Sequence, residues 1–425
     1  MEYCKLKHDY FSVDLGENVF IFNSFSGEPF MVSKADYELF TEGKGVFDEI
    51  EYSDMPKMKT LETVTQYTNS YFGPTGLDLS VSESCNLGCP MCFHGLALCN
   101  AEERRRVRAM PVETAKKWID YYISYATEHN LEAFTFHIGS AEPFMFRNNL
   151  WEIIGYINEK VDGHKSDIFL NTNLTLVNDD DIQKIRQYGV RVSVGIDGLK
   201  TANDATRVYK GTTKGTFDDI LLRVKKLISE GVDIGVNITL NNNNFELVDP
   251  KQTVQYFYSV GVKSLLIDTD IVTHISYDAE TIVNKLMKFV TYGEELGMVI
   301  YGSWQIPFNM MTAQNSEEPK SFCAARTGKN IVVTPSKGIT FCTYSGNIIT
   351  DMHEDPKTAM AAYTSAIKKM MPHLLPGGVE ACHGCPLEGM CMGGCMLAHE
   401  NHGKENHMCD IYLLATAELI KHYYS

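Results

Sequence analysis

Between Leu77 and Asp268, short runs of apolar and β-branched residues alternate with longer stretches whose apolar positions recur every three or four residues. The first pattern suits strands, the second amphipathic helices, and their regular succession predicts repeated β–α units around a parallel sheet. The predicted strands are Leu77–Ser82, Phe134–Ile138, Asp167–Asn171, Arg191–Ile196, Asp233–Leu240 and Lys263–Asp268. Six such strands predict a partial barrel. One helix is expected to begin at Thr216 as N-cap, with Asp219 three residues on, to carry Ile220, Val224, Leu227 and Ile228 on one face, and to stop at Gly231. Another opens at Pro111, where a proline needs no donor, and lines up Trp118, Tyr122 and Tyr125 as core. The Asn241–Asn244 run reads as the loop after a strand.

The pattern differs at both ends. Residues 1 to about 70 contain Asn18–Phe22, a turn at Gly27, Phe30–Val32 and then SKADYELF with Ser33 as a helix cap, which predicts a small hairpin and helix. After Met298 periodicity fades into a turn-rich, cysteine-rich tail, as expected of a segment organised by metal. The implied division is 1–72, 73–300 and 301–425.

Composition narrows the function. With 44% hydrophobic and 22% charged residues the chain has an ordinary globular balance. Its formal charge of −16 argues against a nucleic-acid partner, since phosphate binding needs a basic surface. The run Arg104, Arg105, Arg106 and Arg108 follows Glu102 and Glu103 and reads as a solvated loop. No apolar run of roughly 18 residues occurs and the N-terminus lacks a signal-like pattern, so the expectation is a cytoplasmic protein with no membrane partner. Twelve cysteines in a reducing compartment point to metal rather than disulfides.

Ten of those cysteines fall into two groups. Cys85, Cys89 and Cys92 lie in CNLGCPMC directly after the first strand, where parallel architectures gather reactive groups. Three thiolates from one loop leave one iron of a cubane open to a substrate or cofactor. A zinc site completed by His94 or Cys99 is the alternative. The second group is Cys323, Cys342, Cys382, Cys385, Cys391, Cys395 and Cys409, for which a zinc ribbon helped by His383, His399, His402 and His407 is the rival reading.

CNLGCPMC after a first barrel strand resembles the signature of the radical S-adenosylmethionine enzymes, with Met91 in the slot usually held by an aromatic residue. HIGSAEPF is similar to that family's GGEP segment; Ser140 and Ala141 stand where glycines are usual, and Glu142 and Pro143 carry the match. LNTNLTLVNDDDIQ, with Thr172 and Asn173, resembles the end of its third strand. VSVGIDGLKTANDATR resembles its SxDGp…hDxxR stretch, with Gly195 replacing the usual serine and Asp197, Asp204 and Arg207 retained. The resemblance implies that Ser140, Ala141, Glu142, Asn173, Asp197 and Arg207 contact S-adenosylmethionine, which the open iron chelates. For Arg207, binding of the methionine carboxylate competes with an ion pair to Asp204. His137, inside an apolar strand, is expected to be a satisfied core or rim histidine. Cys99 is a candidate proton or hydrogen donor.

The C-terminal series resembles the SPASM domain, which houses two auxiliary 4Fe-4S clusters. That implies Cys382, Cys385, Cys391 and Cys409 around one cluster and Cys323, Cys342 and Cys395 around the other, with an open iron or a non-cysteine ligand; Gly338 lies one residue closer to Cys342 than usual. The front module is similar in pattern to leader-peptide recognition elements, which take an extended leader by β-augmentation.

The expected fold is therefore α/β: a partial (βα)6 TIM-like barrel with a small N-terminal α+β, winged-helix-like module and a C-terminal cysteine-rich Fe-S domain. The resemblance implies an oxidoreductase that carries three 4Fe-4S clusters and takes electrons from a flavodoxin or ferredoxin. It would abstract hydrogen from a ribosomal precursor peptide with a leader and install a thioether or carbon–carbon crosslink. Two rivals remain: oxidation of a cysteine or serine to formylglycine, as anaerobic sulfatase maturases perform it, and a zinc-stabilised binding protein without catalysis.

Overall fold

A computed structural model describes residues 4–5, 10–24, 29–41, 73–92, 108–271, 273, 275–312, 322–344, 348–370, 373, 378–398 and 407–425. Near the N-terminus an antiparallel sheet runs in the order β1 (Cys4–Lys5), β2 (Tyr10–Asp14), β3 (Asn18–Asn23) and β4 (Phe30–Ser33), followed by helix α1 (Lys34–Thr41). Ser33 caps that helix as expected: its hydroxyl accepts from the Asp36 N–H at 3.1 Å and donates to the Asp36 carboxylate at 2.6 Å. Strand β2 has no clean alternation, because Phe11, Ser12 and Val13 are all buried.

The large sheet takes its strands almost in chain order. From β5 (Gly76–Ser80) it passes through β6 (Phe134–Gly139), β7 (Ser166–Thr172), β8 (Arg191–Gly195), β9 (Ile234–Leu240) and β10 (Ser264–Thr269) to β11 (Val299–Tyr301). All of these pairings are parallel. On the other side of β5 lie β12 (Asn330–Thr334), also parallel, and β13 (Gly338–Thr340), antiparallel to β12. The six predicted strands are present, each with ends shifted by no more than two residues.

Stepping always to the next neighbour with crossovers of one hand puts the connecting helices on a single face. These are α2 (Val112–Glu128), α3 (Arg147–Val161), α4 (Asp179–Gln187), α5 (Phe217–Ser229), α6 (Pro250–Val260) and α7 (Ala279–Leu296). Beneath them the strands bury Phe134, Phe136 and Ile138, or Val236 and Ile238, against Trp118, Ile154, Val224 and Phe257. The opposite face carries Asp78, His137, Phe169, Ser193, Asn237 and Thr239, all only partly buried. A filled barrel packs branched apolar side chains inward; this one presents polar, partly buried groups on its concave face. Strand edges β11 and β13 do not pair with each other, so the sheet is open.

Two local expectations change. Thr216 stands at the N-cap of α5 but does not cap it; its hydroxyl donates to the Arg207 carbonyl at 2.9 Å, and the Phe217 N–H goes to Asp204 at 2.9 Å. Asp219 turns outward to Lys214 and the Tyr209 hydroxyl. Pro111 does open α2, and Trp118 and Tyr122 are fully buried, Tyr122 donating to the Thr75 carbonyl at 2.7 Å.

The C-terminal region is closed by α8 (Pro356–Met370) and α9 (Met408–Tyr424). Helix α9 packs on α7 and receives the N-terminal sheet, with the Phe20 ring 4.8 Å from that of Tyr424. The Gly389 N–H also donates to the Ser24 carbonyl at 2.7 Å, so the two chain ends meet away from the lumen.

Candidate functional site

The loop bearing Cys85, Cys89 and Cys92 leaves the C-terminal end of β5 and is tied down on two sides. Toward β6, the Glu142 N–H donates to the Ser84 carbonyl at 3.0 Å. Toward β8, the segment after Arg207 pairs antiparallel with it, Gly88 N–H to Val208 carbonyl at 2.8 Å and Lys210 N–H to Asn86 carbonyl at 2.9 Å. Two donors face the Cys85 sulfur, the Leu87 N–H at 3.4 Å and the Asn173 side-chain amide at 3.6 Å. Asn173 also donates to the Asn86 side chain at 3.0 Å, while its own oxygen takes the Thr175 N–H and hydroxyl.

Burial pushes the Cys85 thiol up to about 12, with the Glu142 carboxylate and the other two thiols adding to the rise and the Leu87 N–H opposing it. Burial likewise lifts Cys89 to about 11, opposed by the Arg207 guanidinium. Such thiols ionise only when something else supplies positive charge, as a cluster iron does on binding. N–H donors aimed at sulfur suit a metal-bound thiolate.

At the end of β6, Ser140 (φ +73°) and Ala141 (φ +46°) take the left-handed backbone that glycine adopts without cost. The chain thus keeps the path of a glycine pair while using residues strained by about 1 kcal/mol each. Glu142 is buried completely, and its carboxylate accepts from Phe144 N–H at 3.0 Å, the Thr172 hydroxyl at 2.8 Å and the Asn173 N–H at 2.7 Å. Burial outweighs these donors and lifts its pKa to about 7. The carboxylate is spent joining the ends of β6 and β7, which leaves the backbone of 139–141 as the surface this turn offers a ligand.

At the end of β8, Asp197 is fully buried and the Arg207 side chain is 16% exposed. Arg207 Nη2 donates to Asp197 Oδ1 at 3.0 Å, and its Nε lies 2.9 Å from Oδ2. The ion pair expected with Asp204 is therefore made with Asp197 instead, Asp204 being engaged by Phe217 and Lys200. Asp197 also accepts from the Thr206 hydroxyl and the Thr239 N–H, each at 2.9 Å.

In the lumen one strand-register layer below, His137 and Asp78 are direct partners across β5 and β6, with Nδ1 2.6 Å from Oδ1. The second Asp78 oxygen accepts from Asn330 of β12 at 3.4 Å, and the His137 ring stacks on Phe169 at 5.2 Å. Burial opposes protonation of His137, but the Asp78 carboxylate outweighs it and raises the pKa. The reading of His137 as a satisfied rim histidine agrees with this geometry. Its partner Asp78 was missed, although a lone acid in the apolar strand GLDLS is a signal of the same kind.

The C-terminal thiols influence one another's ionisation. Cys382, Cys385, Cys391 and Cys409 act on one another, and Cys395 acts with Cys323. Burial lifts Cys382 to about 11 and raises Cys391 further. Arg326, itself buried, lies within electrostatic reach of the Cys323, Cys391, Cys395 and Cys382 thiols and donates to the Met392 carbonyl. Cys342 follows β13. Among the described residues no three His, Cys, Asp or Glu side chains converge on one point as the ligands of a single ion. Cys99, His94, Arg104–Arg106, His399 and His402 lie outside the described residues, as does the side chain of Cys4.

The sequence profile of the radical SAM superfamily matches residues 79–248, the stretch that holds the cysteine loop, the Ser140–Glu142 turn and the Asp197–Arg207 pair. The chain carries a radical SAM domain. It is similar to the uncharacterized protein MJ0907 of Methanocaldococcus jannaschii, 29% identical over 196 residues that cover 46% of this chain and 63% of that protein, less than two thirds of its length. It is also similar to the radical SAM cyclopropyl synthase TigE of Paramaledivibacter caminithermalis, 23% identical over 363 residues, 81% of this chain and 74% of that one. Among solved structures, anSMEcpe with bound AdoMet superposes with a TM-score of 0.65 at 14% identity, covering 82% of this chain and all of the other. SuiB of Streptococcus suis bound to its precursor peptide SuiA gives 0.58 at 14% identity over 94% and 97%. At these identities the superpositions establish the fold alone, an α/β core on a parallel sheet.

Proposed function

We propose that the radical SAM domain modifies a peptide, removing hydrogen from a ribosomally made precursor and joining the resulting carbon to a thiol or a second carbon. One observation carries this reading: the polar, partly buried face of the sheet lies directly beside the Cys85, Cys89 and Cys92 loop. The peptide-bound structures of SuiB and anSMEcpe support the same substrate class.

In this reading Cys85, Cys89 and Cys92 hold the first 4Fe-4S cluster. Ser140, Ala141, Asn173, Asp197 and Arg207 border S-adenosylmethionine, with Glu142 fixing the turn that meets it. When bound, the cluster and S-adenosylmethionine supply the radical that takes hydrogen from carbon. The chain's own part is positional. Asn173 and Leu87 orient the Cys85 sulfur, and Asp78 holds the His137 ring in place on the lumen wall. Cys382, Cys385, Cys391 and Cys409 would hold one auxiliary cluster and Cys323, Cys342 and Cys395 the other, in a SPASM-type tail fed by flavodoxin or ferredoxin. The outer edge of β4, where Met31 is exposed, would accept an extended leader.

The test is release of 5′-deoxyadenosine from anaerobically reconstituted protein given S-adenosylmethionine and dithionite, beside a Cys85/Cys89/Cys92→Ala variant. Release that the variant loses, with loss of hydrogen from a co-expressed precursor and a fragmentation-resistant link in it, is the expected result. An aldehyde in place of the link would favour oxidation of a cysteine or serine instead.

A further inference from the structure

Gly195 is the departure from the family pattern with a direct geometric partner. A Cβ built on it would lie 2.5 Å from Arg207 Nη1, 2.6 Å from Cζ and 2.7 Å from Nη2. The guanidinium occupies the space a serine side chain would need. Arg207 cannot swing away cheaply, because its neighbour Val208 and then Lys210 are hydrogen-bonded to the cysteine loop, and its own carbonyl accepts from Thr216. Asp197 fixes the other side, itself held by Thr206 and Thr239. The result is a cation held by Asp197 beside the cysteine loop, with the Cys89 and Cys92 thiols within its electrostatic reach.

We propose that Arg207 is the counter-charge of the cluster held by Cys85, Cys89 and Cys92, and that glycine at 195 makes room for it. This rests on the reading that those three cysteines hold the cluster. A thiolate-ligated cluster gains negative charge on reduction, and a fixed, partly buried cation beside it favours the reduced form. Arg207 is in this sense a positioning residue, acting on the cluster through charge and on its loop through Val208–Lys210.

An EPR-monitored redox titration of the anaerobically reconstituted full chain, without S-adenosylmethionine, tests this. The first cluster is recognised afterwards as the signal that shifts when S-adenosylmethionine is added and that is missing in Cys85/Cys89/Cys92→Ala. Arg207→Gln should lower its potential, so that at the wild-type midpoint it is roughly tenfold less reduced; Arg207→Lys should recover part of the loss. Gly195→Ala should shift it downward by displacing the guanidinium, and Asp197→Asn upward by removing a negative charge. The remaining signals serve as internal controls and should not move. An unchanged midpoint in Arg207→Gln, or Arg207→Gln and Asp197→Asn moving the same way, would overturn the proposal. Should Arg207→Gln fail to assemble the cluster, Gly195→Ala takes its place: a lowered midpoint supports the counter-charge and an unchanged one overturns it. If instead the S-adenosylmethionine-sensitive signal survives in the triple cysteine variant, the assignment of those cysteines falls, a failure distinct from that of the counter-charge.

Discussion

Among the described residues Arg207, partly buried, and Arg326, buried, each lie near cysteines, and their settings differ. Arg207, beside the first loop, is opposed by burial but held charged by Asp197, so its pKa rises. Arg326, near the C-terminal cysteines, is pulled down by burial, with the thiols of Cys323, Cys391, Cys395 and Cys382 as its compensating charges. In the proposed reading of both cysteine sets as cluster ligands, the first site has protein hydrogen bonds to hold it without metal, whereas the second would need the ionised thiolates that metal supplies, so that there the metal would contribute to folding itself.

The sharpest way to break this contrast is to remove iron with a chelator under anaerobic conditions and follow amide hydrogen exchange. Protection should collapse around residues 378–398 and the start of α9 while β6–β9 stay protected. Equal loss in both regions would show that the first site needs its metal as much. Next in size is Glu142. Its pKa stands near 7 against an ordinary 4.5, so the folded state binds its proton more tightly than the unfolded chain does. Stability should fall as pH rises from about 4.5 to about 7 and level off above, by an upper bound on the order of 3 kcal/mol. Glu142→Gln should erase that slope in urea titrations. It should also cost about 1–3 kcal/mol, because the amide NH2 meets the N–H of Phe144 or Asn173.

Arg326→Met is a finer probe. Without metal it should raise stability by about 1–3 kcal/mol, since an apolar side chain replaces a poorly compensated charge, and in iron-loaded protein the sign should reverse. Thermal melts of both forms decide it, and a stabilisation that persists in the loaded form would contradict the contrast. Smallest are Ser140→Gly and Ala141→Gly, each expected to gain about 0.5 kcal/mol by relieving the left-handed backbone. No gain in Tm would mean that the surrounding hydrogen bonds already absorb the strain.

Sequence reading went furthest where one segment carries its own signal. The strand at Phe134–Ile138 and the Ser33 cap are local in this sense, as is the spacing of Cys85, Cys89 and Cys92. It stopped where partners come from distant segments. Asp78, His137 and Asn330 meet only because β5 lies between β6 and β12 in a particular register. Arg207 was weighed against Asp204 three residues away, yet found Asp197 because the turn after β8 folds back over Gly195. Strand β12 escaped notice because the cysteine-rich tail around it has no periodicity, and β2 because both of its faces are covered.

Strand β5 carries the first cysteine loop, and its outer edge is completed by β12, with the Thr75 hydroxyl donating to the Lys329 carbonyl across 254 positions of chain. A ribosome delivers residue 76 long before residue 330. Throughout that interval β5 has β6 on one side and an unsatisfied backbone edge on the other, a configuration that folds slowly and invites wrong pairing. Iron loaded on the nascent chain would meet Cys85, Cys89 and Cys92 on a strand not yet locked. Correct metallation is therefore expected to be a late, post-translational event, timed by the arrival of the chain's last quarter.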